Sequence, residues 1–402
     1  MKRVAITGAG TINPLGLDVE TTFEAFREAR PGIGPLDIRD IDRLGVRIGG
    51  QVRGWLPQTE FTPRQLSLYD RNTQFALVAA GQAIRQSGLT FQGALGQTSG
   101  VILGTAGGGV ETADDSYRAV YSEGKNKVHP FVVPKMMANA AANHISMTWG
   151  LQGPSFTVST ACASSNHAMG LAFQMIRSGT APVMVTGGSE AMLCFGGMKA
   201  WEGLRVMSEE ACRPFSANRS GMVQGEGAGI FVFEEWESAR NRGADILAEV
   251  VGFAMTSDAS DIVLPCQAGA ERAMKGALDS AGLNADEVDY INAHGTGTKA
   301  NDKTECAAIN GTFAGYSKNL MVSSTKSMHG HLIGATGAVE LLACVMALRH
   351  GVVAPTIGYE QPDPECALDV VPNTARQAKV GVALSNAFGF GGGNAVIALK
   401  KV

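Results

Sequence analysis

The chain has 402 residues, of which 45% are hydrophobic and 17% charged, a balance that excludes a mainly disordered protein. Its 33 Lys and Arg against 37 Asp and Glu give a net charge of −4, so no strong basic field favours nucleic acid as a partner. At about 100–200 residues per domain, the length predicts two or three folded units, or two intimately joined halves.

Strand-like apolar runs alternate along the chain with longer amphipathic helical patterns. The predicted strands cover residues 3–7, 100–103, 156–159, 183–186, 229–233, 288–293, 320–323, 380–385 and 395–400. The predicted helices cover residues 72–87, 166–178, 268–281 and 336–349. This alternation predicts an α/β architecture in which the sheets are largely buried.

Two distant segments repeat one pattern, since residues 158–176 and 322–348 both resemble a strand followed by small polar residues and a helix. Two related halves would explain why no linker rich in Pro or Ser divides the chain. The best boundary falls near residues 244–252, after a charged helical stretch. We therefore divide the chain into an N-terminal half, 1–247, and a C-terminal half, 248–402.

Several common cofactor motifs are missing from the sequence. Gly8 and Gly10 follow a predicted strand, but Asn13 stands where a dinucleotide-binding fingerprint needs its third glycine. Neither the G-x-x-x-x-G-K-[ST] phosphate loop nor the G-x-S-x-G nucleophile elbow occurs. The seven cysteines contain no C-x-x-C pair, which argues against a zinc cage or a disulfide framework. We expect no metal site.

No segment predicts secretion or membrane insertion. The N-terminus, MKRVAITGAG, lacks the apolar core of a signal peptide and is typical of an opening strand. Residues 136–176 lack Asp, Glu, Lys and Arg, but Asn and His side chains interrupt the run. This segment is therefore predicted to be a buried core element, not a membrane span, of a cytoplasmic protein.

Cys162 differs from the other six cysteines in its position. It follows the predicted strand 156–159 and precedes the helical pattern 166–178. Because a helix N-terminus stabilises negative charge, the pKa of this thiol is predicted to be lowered, which favours the thiolate. The same backbone N–H groups could stabilise an oxyanion on a bound thioester or ester. From position alone, a packed structural cysteine is an equal alternative.

Two histidines occupy similar strand-to-helix corners. His294 ends a predicted strand and opens a turn rich in Gly, Thr and Asn, and His331 lies between a strand and a helix, five residues after Lys326. Each histidine alone is more often a core or surface residue, but a cysteine and two histidines at such corners fit nucleophilic acyl chemistry. At a fourth corner, Phe388 and Phe390 alternate with glycines and could form a movable aromatic wall, although a Gly-rich hairpin turn is the simpler alternative.

The four corners carry specific motifs, TACASSNHA around Cys162, NAHGTGTKANDKTE, SSTKSMHGHLIGATGAVE and SNAFGFGGGN. In this order they resemble the β-ketoacyl-[acyl-carrier-protein] synthases of the elongating type II class, and the likeness covers essentially the whole chain. The resemblance implies a thiolase-like fold in which two similar α/β halves form a five-layered αβαβα core. It also implies a homodimer and an acyl carrier protein as partner.

The resemblance assigns a role to each matched position. Cys162 would accept the acyl chain from a carrier-protein thioester, and His294 and His331 would hydrogen-bond the malonyl thioester carbonyl. Decarboxylation then gives a carbanion that attacks the acyl thioester, a decarboxylating Claisen condensation. The backbone N–H groups of Cys162 and Phe390 would form the oxyanion hole. This chemistry requires no metal or redox cofactor, because the substrates arrive on the phosphopantetheine arm of the carrier.

Other matched residues would support the site or hold the substrate. Lys326 is implied to support the histidine and order the site through Glu305, with Asp302 as a further supporting acid. Thr296 and Thr298 match threonines that hold the phosphopantetheine arm. Phe388 matches a substrate-binding position, and Phe390 matches the gating phenylalanine.

Two positions of the acyl pocket depart from the family pattern. Gly107 stands where the far end of the pocket often carries Ile, and Trp201 stands where Phe is more usual. The missing side chain at Gly107 is expected to open volume toward the dimer interface, while Trp201 reshapes the opposite wall. We therefore expect a pocket suited to longer or unusual acyl chains.

The expected carrier-docking surface is less basic than the family pattern. Its helix keeps Arg64 but has Ser67 and Leu68 where bases are expected, although Lys127 and Arg205 are retained. Because carrier proteins are acidic, a smaller basic patch weakens steering toward the housekeeping carrier. The KAWE and HGTGTKAND segments also resemble specialised condensing enzymes of nodulation-factor and very-long-chain lipid pathways, which suggests a dedicated carrier protein.

Other functions share the predicted fold. A thiolase uses coenzyme A substrates and a second catalytic cysteine near the C-terminal Gly-rich loop, which contains none here. A non-catalytic chain-length partner typically loses the nucleophile, whereas this chain keeps Cys162. An initiating synthase that uses acyl-coenzyme A is expected to carry Asn in place of one histidine. We therefore favour an elongating β-ketoacyl synthase.

Overall fold

A computed structural model describes residues 1–402, which form fourteen strands and fourteen α-helices. The strands are β1 (Val4–Ile12), β2 (Gly34–Pro35), β3 (Ile48–Gly49), β4 (Gly100–Gly104), β5 (Ser155–Val158), β6 (Val183–Glu190), β7 (Gly227–Glu235), β8 (Ala248–Ser257), β9 (Tyr290–Asn292), β10 (Met321–Ser323), β11 (Val352–Val353), β12 (Arg376–Gln377), β13 (Val382–Gly389) and β14 (Gly393–Lys400). The helices are α1 (Val19–Glu28), α2 (Pro63–Leu68), α3 (Arg71–Ser87), α4 (Gly93–Thr98), α5 (Val110–Tyr121), α6 (Val132–Met136), α7 (Ala140–Trp149), α8 (Ser164–Ser178), α9 (Phe195–Gly203), α10 (Trp236–Asn241), α11 (Gln267–Ala281), α12 (Lys299–Thr312), α13 (Lys326–His329) and α14 (Thr336–His350). Every predicted strand and helix overlaps an observed element of the same type.

The ten long strands form one sheet, in the order β10-β9-β13-β14-β8-β1-β7-β6-β4-β5. The first strands of the two halves, β1 and β8, pair antiparallel at its centre. Each half contributes five strands to this sheet. Outward from the centre, the N-terminal half has the order β1-β7-β6-β4-β5 and the C-terminal half has the order β8-β14-β13-β9-β10. In both halves the first strand is therefore followed by the fifth, fourth, second and third. The repeated strand order confirms the predicted fold of two similar halves.

β8 is missing from the predicted strands and begins inside the boundary expected near residues 244–252. Its apolar run is interrupted by Glu249 and Gly252, so the sequence pattern is too short to be recognised alone. In the fold, pairing with β1 on one side and β14 on the other makes the segment a strand, and Arg3 pairs with Glu249 at 2.7 Å. The predicted boundary therefore falls at the start of a central strand.

Helices form three layers around the two halves of the sheet. α8 and α14 lie between the halves and contact strands of both as well as each other. α3 and α7 pack against the N-terminal half, and α11, backed by α12, packs against the C-terminal half. The result is the five-layered αβαβα core that the sequence predicts.

α14 is the most apolar of these layers, and all its residues from Thr336 to Leu348 are buried. The stretch Ile333–His350 is long and apolar enough to cross a membrane, but 89% of it is buried inside the fold. It is therefore the central helix of the core. The charge-free segment 136–176 likewise forms α7, β5 and α8, which pack onto the sheet.

Candidate active site

Cys162 lies on a tight turn between the third strand of the N-terminal half, β5, and the central helix α8. Ala161 adopts a left-handed backbone conformation, with φ of 50°, which turns the chain sharply at this point. Ser164 holds the turn because its Oγ donates to the Ala161 carbonyl at 2.7 Å and accepts from the Thr160 N–H at 2.9 Å. The sulfur is thus placed just before a helix N-terminus, as the sequence predicts.

The two histidines lie in connecting segments of the C-terminal half. His294 follows β9, and the carboxylate of Glu305 accepts hydrogen bonds from the backbone N–H groups of His294 and Gly295 at 2.8 and 2.7 Å. His331 lies between α13 and α14, where its N–H donates to the Val223 carbonyl at 2.6 Å. These backbone hydrogen bonds fix both residues in place.

The fold brings the cysteine and the two histidines together. The Cys162 sulfur and one nitrogen from each imidazole all lie within 4.8 Å of one another. The two imidazole centroids are 5.5 Å apart and nearly perpendicular, and the Phe388 ring lies 5.9 Å from His294. These side chains are buried, so a substrate held here would react out of contact with bulk water.

Both histidines are neutral at pH 7. Burial, and secondarily the nearby charge of Lys326, lowers the pKa of His294 and of His331 well below the ordinary value. The Ile333 N–H donates to Nδ1 of His331 at 3.2 Å, so the ring proton of His331 is on Nε2. That Nε2 is buried without a protein partner, and it is therefore a free N–H donor directed at the site.

Cys162 is protonated in the resting site, contrary to the prediction of a lowered pKa. Burial raises the pKa of its thiol to about 11. The charge of Lys326 and the backbone N–H groups of Phe390 and Cys162 act in the opposite direction, but they do not outweigh the loss of hydration. The effect of the helix N-terminus on the thiol pKa is therefore smaller than the effect of desolvation. The two N–H groups nevertheless lie beside the sulfur, where they are available to the oxygen of a thioester formed on Cys162.

Lys326 is paired with Glu340 and not with Glu305, which corrects the predicted partner. Its Nζ lies 2.6 Å from Glu340 Oε1, and both side chains are fully buried. Glu305 instead holds the His294 turn and accepts from Asn386 at 3.3 Å. Glu340 lies in the GATGAVE motif, so the partner of Lys326 was present in a motif recognised from the sequence. Only the tertiary contact between α13 and α14 shows that Lys326 pairs with Glu340 and not with Glu305.

Asp302 and Glu305 shape the loop that follows β9 and do not line the cavity. Asp302 accepts from the N–H groups of Phe215 at 2.8 Å and Gly297 at 3.2 Å, and burial raises its pKa to about 6. This arrangement places Thr296 and Thr298 at the cavity wall, with their hydroxyl oxygens 2.9 Å apart. Their hydroxyls are positioned to bind a polar arm.

A cavity of about 180 Å³ leads to the sulfur. Its wall contains Cys162, His294 and His331. The other side chains of the wall are mainly apolar and include Trp201, Val206, Met222, Val263, Leu264, Phe388 and Phe390. Trp201 stacks on Phe390, with centroids 5.8 Å apart and an interplanar angle of 25°. The gate predicted at Phe390 and the predicted pocket residue Trp201 thus form one aromatic wall.

Gly107 does not line the cavity at the sulfur, and its place at the far end of the acyl pocket, toward the dimer interface, stays a prediction. A Cβ at Gly107 would lie 2.5 Å from Val110 Cγ2 and 3.3 Å from the end of Met192. These two side chains occupy the space that the glycine leaves. Met192 also packs against Cys162, so the glycine makes room for a flexible methionine beside the nucleophile.

The glycine-rich turn between β13 and β14 closes over the nucleophile. A Cβ at Gly389 would lie 2.7 Å from the Thr160 carbonyl oxygen, so only glycine allows this approach. Gly391 and Gly392 have φ of 83° and 74°. Asn394 fixes the base of the turn by donating to Asp258 at 2.7 Å. The Gly-rich corner is therefore part of the site and also a hairpin turn.

Four side chains near the site, three of them buried and one partly buried, received no role from the sequence. Glu190 accepts from the N–H groups of Ala106 at 2.6 Å and Gly334 at 3.1 Å, so it joins the two halves beside the cysteine. Glu340 holds Lys326, and Met192 and Met222 pack against Cys162. Nothing in the linear pattern distinguishes these residues from ordinary strand and helix positions.

Comparison with known proteins identifies the family. The chain matches "Beta-ketoacyl synthase, N-terminal domain" over residues 1–239 and "Beta-ketoacyl synthase, C-terminal domain" over residues 247–360. It is 47% identical over 401 residues to "Nodulation protein E" of Rhizobium sp. (strain N33), with 100% of both chains covered. It is 40% identical over 407 residues to "3-oxoacyl-[acyl-carrier-protein] synthase 2" of Staphylococcus aureus (strain N315), covering 100% of this chain and 98% of that protein.

A solved structure agrees with this assignment. The chain superposes with a TM-score of 0.90 and 30% identity on the structure titled "type II PKS acyl-carrier protein in complex with its ketosynthase bound to the hexaketide". The match covers 100% of this chain and 99% of that one. With the thiolase-like fold and the Cys-His-His cluster in place, these matches show that the chain belongs to the β-ketoacyl synthase family.

Proposed function

We propose that this acyltransferase condenses an acyl chain on Cys162 with malonyl-[acyl-carrier-protein], releasing CO₂ and forming 3-oxoacyl-[acyl-carrier-protein]. The observation that carries the proposal is the cluster of the Cys162 sulfur and two imidazole nitrogens within 4.8 Å. The Staphylococcus aureus relative is named for this product, and the polyketide neighbour is a ketosynthase bound to its acyl-carrier protein. Both support a carrier-bound substrate for this chain.

The first step transfers the acyl chain to the enzyme. The Cys162 sulfur attacks the thioester carbonyl while its proton passes to an imidazole, because burial opposes a free thiolate. His294 is suited to take the proton, since its ring nitrogens are bound to no other group of the protein. The backbone N–H groups of Cys162 and Phe390 stabilise the oxyanion, and the carrier thiol leaves with a proton.

The second step forms the carbon–carbon bond. The malonyl thioester carbonyl accepts hydrogen bonds from His294 and from Nε2–H of His331, so negative charge can develop on that oxygen as CO₂ leaves. The resulting carbanion attacks the acyl thioester on Cys162, and the sulfur leaves as a thiolate that takes up one proton from water. Lys326 contributes a positive charge that keeps both imidazoles neutral, and therefore in the donor state the step requires.

Substrate binding uses the remaining matched residues. The phosphopantetheine arm enters beside Thr296 and Thr298, and Phe390 moves aside as the acyl chain enters. Thioester chemistry of this type is complete with the groups named, so the proposal includes no metal and no redox cofactor. Trp201 against Phe390, with the flexible Met192 behind the sulfur, supports a preference for longer or unusual acyl chains.

The carrier is proposed to be dedicated to one pathway. The docking helix α2 exposes Arg64 and Ser67, and the further bases Lys127 and Arg205 are also exposed. Few cations give little electrostatic steering toward a strongly acidic carrier. The 47% identity to a nodulation protein supports a specialised lipid pathway over housekeeping fatty-acid synthesis.

A cytoplasmic homodimer is the proposed working form. β5 is the outermost strand of the N-terminal half, and its residues are only partly buried. It contains neither a charge nor a proline, which are the usual protections of an exposed edge. A second copy that pairs along β5 would provide hydrogen-bond partners for the unpaired backbone groups of this edge. It would also place the two active sites close to the interface.

The thiolase and chain-length-partner alternatives have less support. The hairpin of β13 and β14 contains no second cysteine, so a thiolase proton shuttle has no group there. A non-catalytic partner has no need of a neutral histidine pair facing a buried thiol. The complete site therefore favours the condensing enzyme.

Intact-mass measurement tests the proposal. The wild-type protein, incubated with acyl-carrier thioesters of different chain lengths, is expected to gain one acyl mass and then to release it as 3-oxoacyl-carrier when malonyl-carrier is added. The Cys162→Ala variant is expected to gain no mass. Acylation of the variant, or a wild-type protein that is never acylated, would contradict the proposal.

A further inference from the structure

An exposed apolar loop stands at the mouth of the cavity. Ile262 and Leu264 are 74% and 60% exposed, and Val263 between them is 38% exposed. Val263 and Leu264 also line the cavity itself, together with Pro265. Three adjacent apolar side chains in water are unfavourable, and a sequence retains them where they contact a partner.

Hydrogen bonds hold this loop in its exposed position. Asp261 Oδ1 accepts from the N–H groups of Val263 at 2.7 Å and Leu264 at 2.8 Å. The Gly391 N–H donates to the Ile262 carbonyl at 2.8 Å, which ties the loop to the glycine-rich turn over the nucleophile. The apolar side chains are therefore presented by a defined backbone and do not fold back onto the protein.

The other sides of the mouth combine apolar surface with two cations. Leu204 is 47% exposed and is followed by Arg205, which is exposed, and by Val206, which lines the cavity. Lys299 is exposed beside Ala300, another lining residue. We name the four apolar side chains around the mouth the apolar rim: Leu204, Ile262, Val263 and Leu264.

We propose that the apolar rim docks an apolar patch of the acyl carrier protein, with carboxylates of the carrier facing Arg205 and Lys299. The inference rests on the proposed function, because a carrier whose arm reaches Cys162 must lie over this mouth. Burial of apolar side chains is not screened by salt, whereas pairs of exposed charges are. Docking through the rim therefore compensates for the weakly basic helix α2, and it selects carriers that have an apolar surface beside the arm.

Steady-state kinetics of a Leu204→Ser/Ile262→Ser double variant test the inference, because both side chains are exposed and neither lines the cavity. The substrate is the malonyl-carrier from a panel that gives the highest kcat/KM with wild type. We expect KM for malonyl-carrier to rise about tenfold with kcat unchanged, as for a side-chain cluster central to an interface. Malonyl-pantetheine, which has the arm but no carrier, should react equally with both enzymes. Leu56→Ser is the control, since Leu56 is 57% exposed but lies outside the apolar rim.

Raising KCl tests the chemistry of the contact directly. Wild-type KM for malonyl-carrier is expected to change less than about threefold between 50 and 500 mM KCl, whereas a charge-driven interface weakens steeply over this range. A steep salt dependence would overturn the apolar docking, and so would an unchanged KM in the double variant.

Two further outcomes separate this inference from the proposed function. Equal slowing of the double variant with malonyl-carrier and malonyl-pantetheine would show that the loop shapes the site through Gly391, and it would overturn docking while leaving condensation intact. Failure of the wild-type enzyme with both substrates would instead overturn the proposed function.

Discussion

The third strand of each half ends at the site and is followed by a central helix, yet the two corners differ in their chemistry. In the N-terminal half, β5 leads through Cys162 to α8, and this corner supplies a neutral thiol and backbone N–H groups. In the C-terminal half, β10 leads through Lys326 and His331 to α14, and this corner contains a buried ion pair with Glu340.

The repeated topology thus gives equivalent positions, and the side chains divide the reaction between them. The N-terminal corner is suited to hold the acyl chain, and the C-terminal corner to stabilise charge on the malonyl unit. The charge of Lys326 acts across this division, since it lowers the pKa of both histidines and opposes the burial effect on the Cys162 thiol. Mutations that affect one corner alone can therefore separate the two steps.

The largest expected effect separates acylation from condensation. Cys162→Ala should abolish both, whereas His331→Ala should still be acylated but should lose condensation by about 10²–10⁴-fold, the usual contribution of a positioned proton donor. Intact mass reports acylation, and formation of 3-oxoacyl-carrier reports the second step, since CO₂ can leave malonyl-carrier before any carbon–carbon bond forms. A His331→Ala enzyme that is not acylated would show that the two corners do not act separately.

Breaking the ion pair in the C-terminal corner should destabilise the whole fold. Lys326→Met leaves the Glu340 carboxylate buried without its partner, which costs about 3–5 kcal/mol in the free energy of unfolding. The double variant Lys326→Met/Glu340→Leu removes both charges and should recover most of that loss. Urea unfolding measures both variants. Equal stability of the single and double variants would contradict the pairing.

The charge of Lys326 should also affect the pH below which malonyl decarboxylation slows. The pKa of each histidine lies well below 6.5, so the wild-type rate should stay constant as pH falls from 8 to 6. Burial still lowers these pKa values in Lys326→Met/Glu340→Gln, but the loss of the positive charge should raise them, so the rate should begin to fall at a higher pH than in wild type. An unchanged pH profile would show that burial alone keeps the histidines neutral.

In the N-terminal corner, the raised pKa of Cys162 predicts slow alkylation. With a pKa of about 11, the thiol should react with iodoacetamide at pH 8 about 100-fold more slowly than a free cysteine, because only the thiolate reacts. The rate should increase with pH up to about 11. A plateau near pH 7 would instead indicate the stabilised thiolate that the position before α8 predicts.

The last prediction concerns the space around Gly107. Gly107→Ile must displace Val110 and Met192, so it should cost about 1–3 kcal/mol and shorten the longest acyl chain that the enzyme elongates. Gly203→Ile is a matched control, because a Cβ at Gly203 meets no atom within 4 Å. Unchanged elongation of long chains by Gly107→Ile would remove this position from the acyl pocket.

Much of the site could be predicted because its residues occupy corners of regular elements. A strand that ends in a cysteine or a histidine before a helix is visible in a linear pattern, and the motifs around Cys162, His294 and His331 indicate the family. The missed groups, Glu340 and Glu190, lie within regular elements. Their importance depends on which buried group lies opposite, and no local pattern contains that information.

The sequence alone determined the alternation of strands and helices, the duplication and the positions of the reactive residues, because these depend on local periodicity and residue type. The tertiary structure decided the partner of Lys326, the filling of the space at Gly107 and the protonation of Cys162. Each of these three properties depends on the distances between segments that are remote in the chain and on how far those segments exclude water from one another. Desolvation of the thiol in particular is a property of the closed core, where it outweighs the helix N-terminus.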